Sequence, residues 1–188
     1  MRALTIAPVT DATLAASNVA ENDYAAWIVG TTYAANARVI VLSNHSIYQS
    51  VAGGNVGNDP SDAANVVSSS NPTGAWVYVS PTNRWRAFDG SNSQKTTNAS
   101  SITYTIDTVR TSNTLALLGL EAISVRVRVL DSSSTVTYDV TKDLLDTTTI
   151  TTFFGYFTFS PEDYASNALF TGLPAYPAST IEITIDGG

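Results

Sequence analysis

The run Val125-Arg126-Val127-Arg128-Val129 constrains the fold more than any other stretch of the chain. Side chains alternate between the two faces of a strand but wind around a helix. Only an extended backbone therefore puts all three valines on one side and both arginines on the other. The segment is expected to be a strand with one buried and one wet face. Similar runs recur at 38–42, 46–51, 76–79, 101–106, 136–140, 152–159, 167–170 and 180–185, with Ser43-Asn44-His45 as a hairpin turn between the first two. The segment 114–120 is nearly continuous in apolar residues and predicts a central strand buried on both sides. Thr, Ser, Val, Asn and Tyr supply strands and turns throughout, so the fold class is all-β with less than a tenth of the residues helical.

Turn spacing suggests three parts. Residues 1–23 have no sustained period and read as an extended N-terminal arm, with one helical turn near Asp11 to Leu14. Its apolar residues Leu4, Ile6, Val9, Leu14 and Val19 are spaced like anchors, which suits a segment that orders only on a neighbouring subunit. Residues 24–80 hold short strands and a Gly/Asn-rich loop, a small three-stranded domain. Residues 81–188 hold seven or eight strands and predict a β-sandwich or jelly roll. The joint falls at Pro81-Thr82-Asn83-Arg84-Trp85.

Charge and chemistry narrow the function. The net charge is −7, so no basic face is available to release counterions from nucleic acid. No apolar run is long enough to span a membrane, and the start lacks the apolar stretch of a signal peptide. Synthesis in the cytoplasm is expected, and the absence of cysteine fits it. Glycoside hydrolysis needs two carboxylates facing across a cleft. The available pairs, Glu162 with Asp163, Asp143 with Asp146 and Glu21 with Asp23, are close neighbours beside turns and read as solvated loop charges. The single His45 sits in a hairpin turn and reads as exposed, and no phosphate loop or nucleophile elbow is present. Asp89, in Phe88-Asp89-Gly90, is read as capping its own turn in preference to binding a cation. Neither a catalytic residue, nor a metal, nor a cofactor is expected. Arg84-Trp85-Arg86 and the pair Arg126 and Arg128 are read as salt bridges and cation–π contacts, the first group at the joint.

Ala26-Trp27, Thr32-Tyr33, Ala37 to Val41, Ile47-Tyr48-Gln49-Ser50, Gly57-Asn58-Asp59-Pro60 and Trp76-Val77-Tyr78-Val79 are similar to the chitin-binding type of carbohydrate-binding module found on bacterial chitinases. That likeness implies a compact three-stranded fold with Trp27, Tyr48 and Trp76 in core or joint positions and Tyr24, Tyr33 and Tyr78 as candidate sugar platforms. Where such modules carry adjacent exposed rings, this chain has Val51-Ala52-Gly53-Gly54. Without a flat π face, sugar stacking is weak there.

A longer likeness, from Ser17 to Thr184, is to bacteriophage virion proteins labelled tail proteins, in which the module is followed by Pro-Thr-Asn-Arg-Trp and a Phe-Asp-Gly turn. Phe88-Asp89-Gly90-Ser91 also resembles the turn opening galactose-binding-like jelly rolls. This resemblance implies a structural virion component, an adaptor or attachment protein of tail, neck or baseplate. Its partners would be other virion proteins, in several copies, with Arg84, Trp85 and Asp89 as interdomain residues. Its alternative implication is a module that holds host-surface glycans.

Overall fold

The computed structural model describes residues 7–91, 93–108, 111–145, 152–154, 165–174 and 176–187. Strand makes up 39% and helix 5% of the chain, so the all-β expectation holds. Among the described residues ten strands alternate with turns: β1 (Leu14–Ser17), β2 (Arg38–Val41), β3 (Ser46–Ser50), β4 (Trp76–Pro81), β5 (Ser101–Asp107), β6 (Thr114–Leu118), β7 (Ser124–Leu130), β8 (Val136–Asp143), β9 (Asn167–Thr171) and β10 (Thr180–Asp186). They fall into two compact units, one of residues 1–19 with 97–188 and the other of residues 20–96. The division expected near Pro81 is thus not the one found.

In the smaller unit β2, β3 and β4 form an antiparallel sheet, closed at its first hairpin by the turn before Ser46. His45 holds φ 53° in that turn, a left-handed conformation that a hairpin connection requires. The sheet's inner face carries Val39, Val41, Tyr48 and Trp76, with Trp27, Tyr33, Val66 and Ala75 packed on them. Tyr33 meets Trp76 edge to face at 5.2 Å. Ala26 and Tyr33 make single bridges, to Ile40 and Asn55. Gly74 lies against the backbone of Val66 and Val67, where any Cβ would clash, so a glycine is needed for the loop to close on β4.

The larger unit is built on a five-stranded antiparallel sheet in the order β1-β5-β10-β7-β8 and a two-stranded sheet of β6 and β9. In β7 the alternation runs as its sequence dictates: Val125, Val127 and Val129 are buried, and burying each such side chain contributes about 1.5–3 kcal/mol. On the opposite face Arg126 pairs with Asp139, and Arg128 with Glu182. The N-terminal segment departs from expectation. Residues 10–14 make a turn, as Thr13 N and Leu14 N both donate to Thr10 O. The chain then pairs with β5 as β1, and Asn18 extends that pairing by donating to Ser101 O and accepting from Thr103 N. Val19 is buried. Leu14–Ser17 are therefore sheet, with Asn18 and Val19 held beside it, and not a free arm.

β6 also departs from expectation. It alternates exposed and half-buried positions, and Leu118 is 65% exposed. An edge position in a two-stranded sheet gives it one covered face, where 114–120 had been expected to be covered on both. The strand expected at 152–159 falls mostly outside the described residues, as do Glu162, Asp163 and Asp146.

Candidate functional site

The candidate platforms Tyr24, Tyr33 and Tyr78, the joint residues Arg84, Trp85 and Asp89 and the acids Glu21 and Asp23 lie in the smaller unit, and most of their chemistry is spent internally. Glu21 and Asp23 precede the first bridge of that unit, and Thr82 to Arg86 follow β4. Glu21, its side chain only 8% exposed, accepts from Thr82 Oγ1 at 2.8 Å and meets His45 Nδ1 at 2.8 Å. Arg84 lies 3.8 Å from its other oxygen. Asp23 takes the backbone N–H of Asn83 and a 3.3 Å contact from Arg86. His45 stacks on Trp85 at 4.2 Å with an interplanar angle of 23°, and Phe88 meets Trp85 edge to face at 5.9 Å. Buried carboxylates persist only where such partners compensate for lost hydration. The two acids are therefore a clasp that ties residues 20–23 to the end of β4, which corrects their reading as solvated charges. His45 is likewise half-covered where an exposed turn residue was expected.

Arg84, Trp85 and Asp89 all lie within the 20–96 unit, so the contacts just described are internal to it. Asp89 Oδ1 accepts from Ser91 N at 2.7 Å, a turn-capping bond.

The three candidate platforms differ. Tyr33 is closed off: its ring edges onto Trp76 and its hydroxyl accepts from Ile28 N at 2.7 Å. Tyr78 is 47% exposed, edge to face with Tyr48 at 6.0 Å. Burial, then Asp89, then Tyr48 raise its hydroxyl above the ordinary tyrosine range. Tyr24 is exposed and held by Arg38, whose Nη1 donates to its hydroxyl at 3.0 Å and whose guanidinium carbon lies 5.8 Å from the ring centre.

An open groove of about 270 Å³ runs along Val51 to Asn55, Asn58 and Thr73 to Ala75. Its polar floor is self-satisfied. Asn55 Nδ2 donates to Ser50 Oγ and Ala75 O, its Oδ1 accepts from Asn58 Nδ2, and Asn58 O accepts from Trp76 Nε1. Little polar capacity is left there to orient a ligand.

Among the described residues no group of His, Asp and Glu is placed to hold a metal ion, and no helix is long and apolar enough to cross a membrane. Sequence reasoning passed over Arg38 and Gln49, which the β2–β3 register sets directly opposite one another. The signal was available, because a turn centred on Ser43-Asn44 fixes that pairing. Compared with known protein families, curated proteins and solved structures, the chain matches none.

Proposed function

We propose that this chain is a structural attachment component of a bacteriophage virion, an adaptor of tail, neck or baseplate without enzymatic activity. In this reading residues 20–96 are a small carbohydrate-binding-module-like domain, and the larger unit is a jelly-roll or galactose-binding-like sandwich. The Glu21 and Asp23 clasp is the observation that carries the proposal. Pro81-Thr82-Asn83-Arg84-Trp85, the motif behind the likeness to virion proteins, spends its polar groups on holding a backbone path. That is the use a scaffold makes of charged residues. Assembly in several copies on other virion proteins follows from the same reading.

The test is to purify particles from a lysate of the host carrying the gene and probe them with antibody raised against the recombinant chain. Stoichiometric labelling at one position of the tail or neck is expected. A chain that is expressed during infection yet missing from particles would overturn the proposal. A second reading, in which the smaller unit holds host-surface glycans, is favoured by the exposed rings of Tyr24 and Tyr78.

A further inference from the structure

At the Arg38–Gln49 end of the β2–β3 pair four side chains form one hydrogen-bonded row. Arg38 Nη1 donates to Tyr24 Oη at 3.0 Å, Arg38 Nε donates to Gln49 Oε1 at 3.0 Å, and Gln49 Nε2 donates to Asn36 Oδ1 at 3.1 Å. The direction of this chain is forced. A guanidinium can only donate, so Gln49 must present its oxygen to Arg38 and its nitrogen to Asn36. Asn36 must then present its oxygen to Gln49, which leaves its own amide nitrogen pointing away from the row. Asn36 is pinned in this role by a left-handed φ of 64° and by its backbone N–H, which donates to Ser50 O.

Each carboxamide oxygen is thus engaged inside the row. What remains is chiefly donors: the N–H groups of Asn36 Nδ2, the second N–H of Gln49 Nε2, the unused N–H groups of Arg38 and the hydroxyl proton of Tyr24, against one spare lone pair on each oxygen. Among the described residues none of these makes a further hydrogen bond. Val77, paired with Gln49 in the next strand and exposed, adds an apolar border. Asp23, the nearest acid in sequence, is taken up by Asn83 and Arg86.

We propose that this row binds a glycan bearing oxyanions, carboxylate or phosphodiester, with Arg38 on the charge and Gln49 and Asn36 on neighbouring oxygens. A row whose free groups are mostly donors, with one fixed positive charge at Arg38, favours a ligand rich in negatively charged acceptors. The row joins four side chains through three hydrogen bonds of 3.0–3.1 Å, which is too extended for one small anion and suits consecutive sugar units of a polymer. The exposed Tyr24 ring and Val77 can take the C–H faces of those units. The net charge of −7 opposes a polyanion only at long range, since at physiological salt it is screened beyond about 8 Å. The inference deepens the glycan-binding reading of the smaller unit and needs only that unit's geometry, so a chain missing from particles would leave it standing.

Affinity electrophoresis of the full chain through gels containing polygalacturonate, poly(glycerol phosphate) or neutral dextran tests it. One or both acidic polymers should retard the chain, naming the oxyanion, while dextran should not. Gln49→Glu keeps an oxygen for Arg38, so the sheet survives, but it replaces an outward donor with a negative charge. Arg38→Gln removes the charge. Each should weaken retardation roughly tenfold or more with the melting temperature unchanged, as expected when a charged hydrogen bond is lost. Equal retardation by dextran, no retardation by either acidic polymer, or undiminished retardation of folded Gln49→Glu would overturn the proposal.

Discussion

Glu21 is one side chain on which several others depend. Its replacement by Ala would leave the fully buried Thr82 hydroxyl and the ring nitrogen of His45 without their acceptor. Urea unfolding followed by tryptophan fluorescence should show the 20–96 unit losing about 1–3 kcal/mol. Tyr78 offers a second measurement at this scale. Its folded-state pKa lies above that of the unfolded chain, so its contribution to stability is complete below about pH 10 and is lost as pH rises through the folded value. An NMR titration of labelled tyrosine rings, with Tyr78 assigned by Tyr78→Phe, should show late ionisation. Asp89→Asn should reduce the delay without abolishing it, because burial is the larger cause. Neither contact could be read from residue types alone. Glu21 and Thr82 are brought together across 61 positions, and a carboxylate beside a turn looks solvated until its partners are placed.

Among elements, those with strong alternation were legible to within a few residues. β7 lies where its valines and arginines put it, and β10 runs one residue beyond the 180–185 expected. β1 was not legible. Leu-Ala-Ala-Ser has neither the β-branched residues nor the period of a strand, and it is held extended by pairing with β5. β6 was found but its environment was misjudged, since apolar content cannot tell a covered strand from one whose outer face is open. Because β1 is an integral edge, removing residues 7–17 should destabilise the larger unit. Hydrogen exchange should then show faster exchange of the β5 amides, with the amides of β2 to β4 still protected. Unchanged β5 protection would mean that the pairing contributes nothing.

At the scale of the whole molecule the order of parts is an insertion. The chain leaves the larger unit after Val19 and re-enters it at Thr97, between two strands that are neighbours in one sheet. Sequence reading placed one joint at Pro81 because Pro and Asn mark a turn there. The actual divisions follow long-range strand pairing, which no local signal announces. β1 and β5 are antiparallel, and Ser17 faces Tyr104. Replacing residues 20–96 by a short Gly-containing turn should therefore close a hairpin and leave a larger unit that folds and melts cooperatively, as calorimetry would record. The same arrangement decides how the protein carries tension. Both β1 and β10 pair with β5, so a pull applied to β1 at one side and β10 at the other passes through the hydrogen bonds of that one sheet. In chain order residues 20–96 lie between β1 and β5, bridged by the hydrogen bonds of that pair. Tension carried along the chain would reach them only after β1 had been torn from β5.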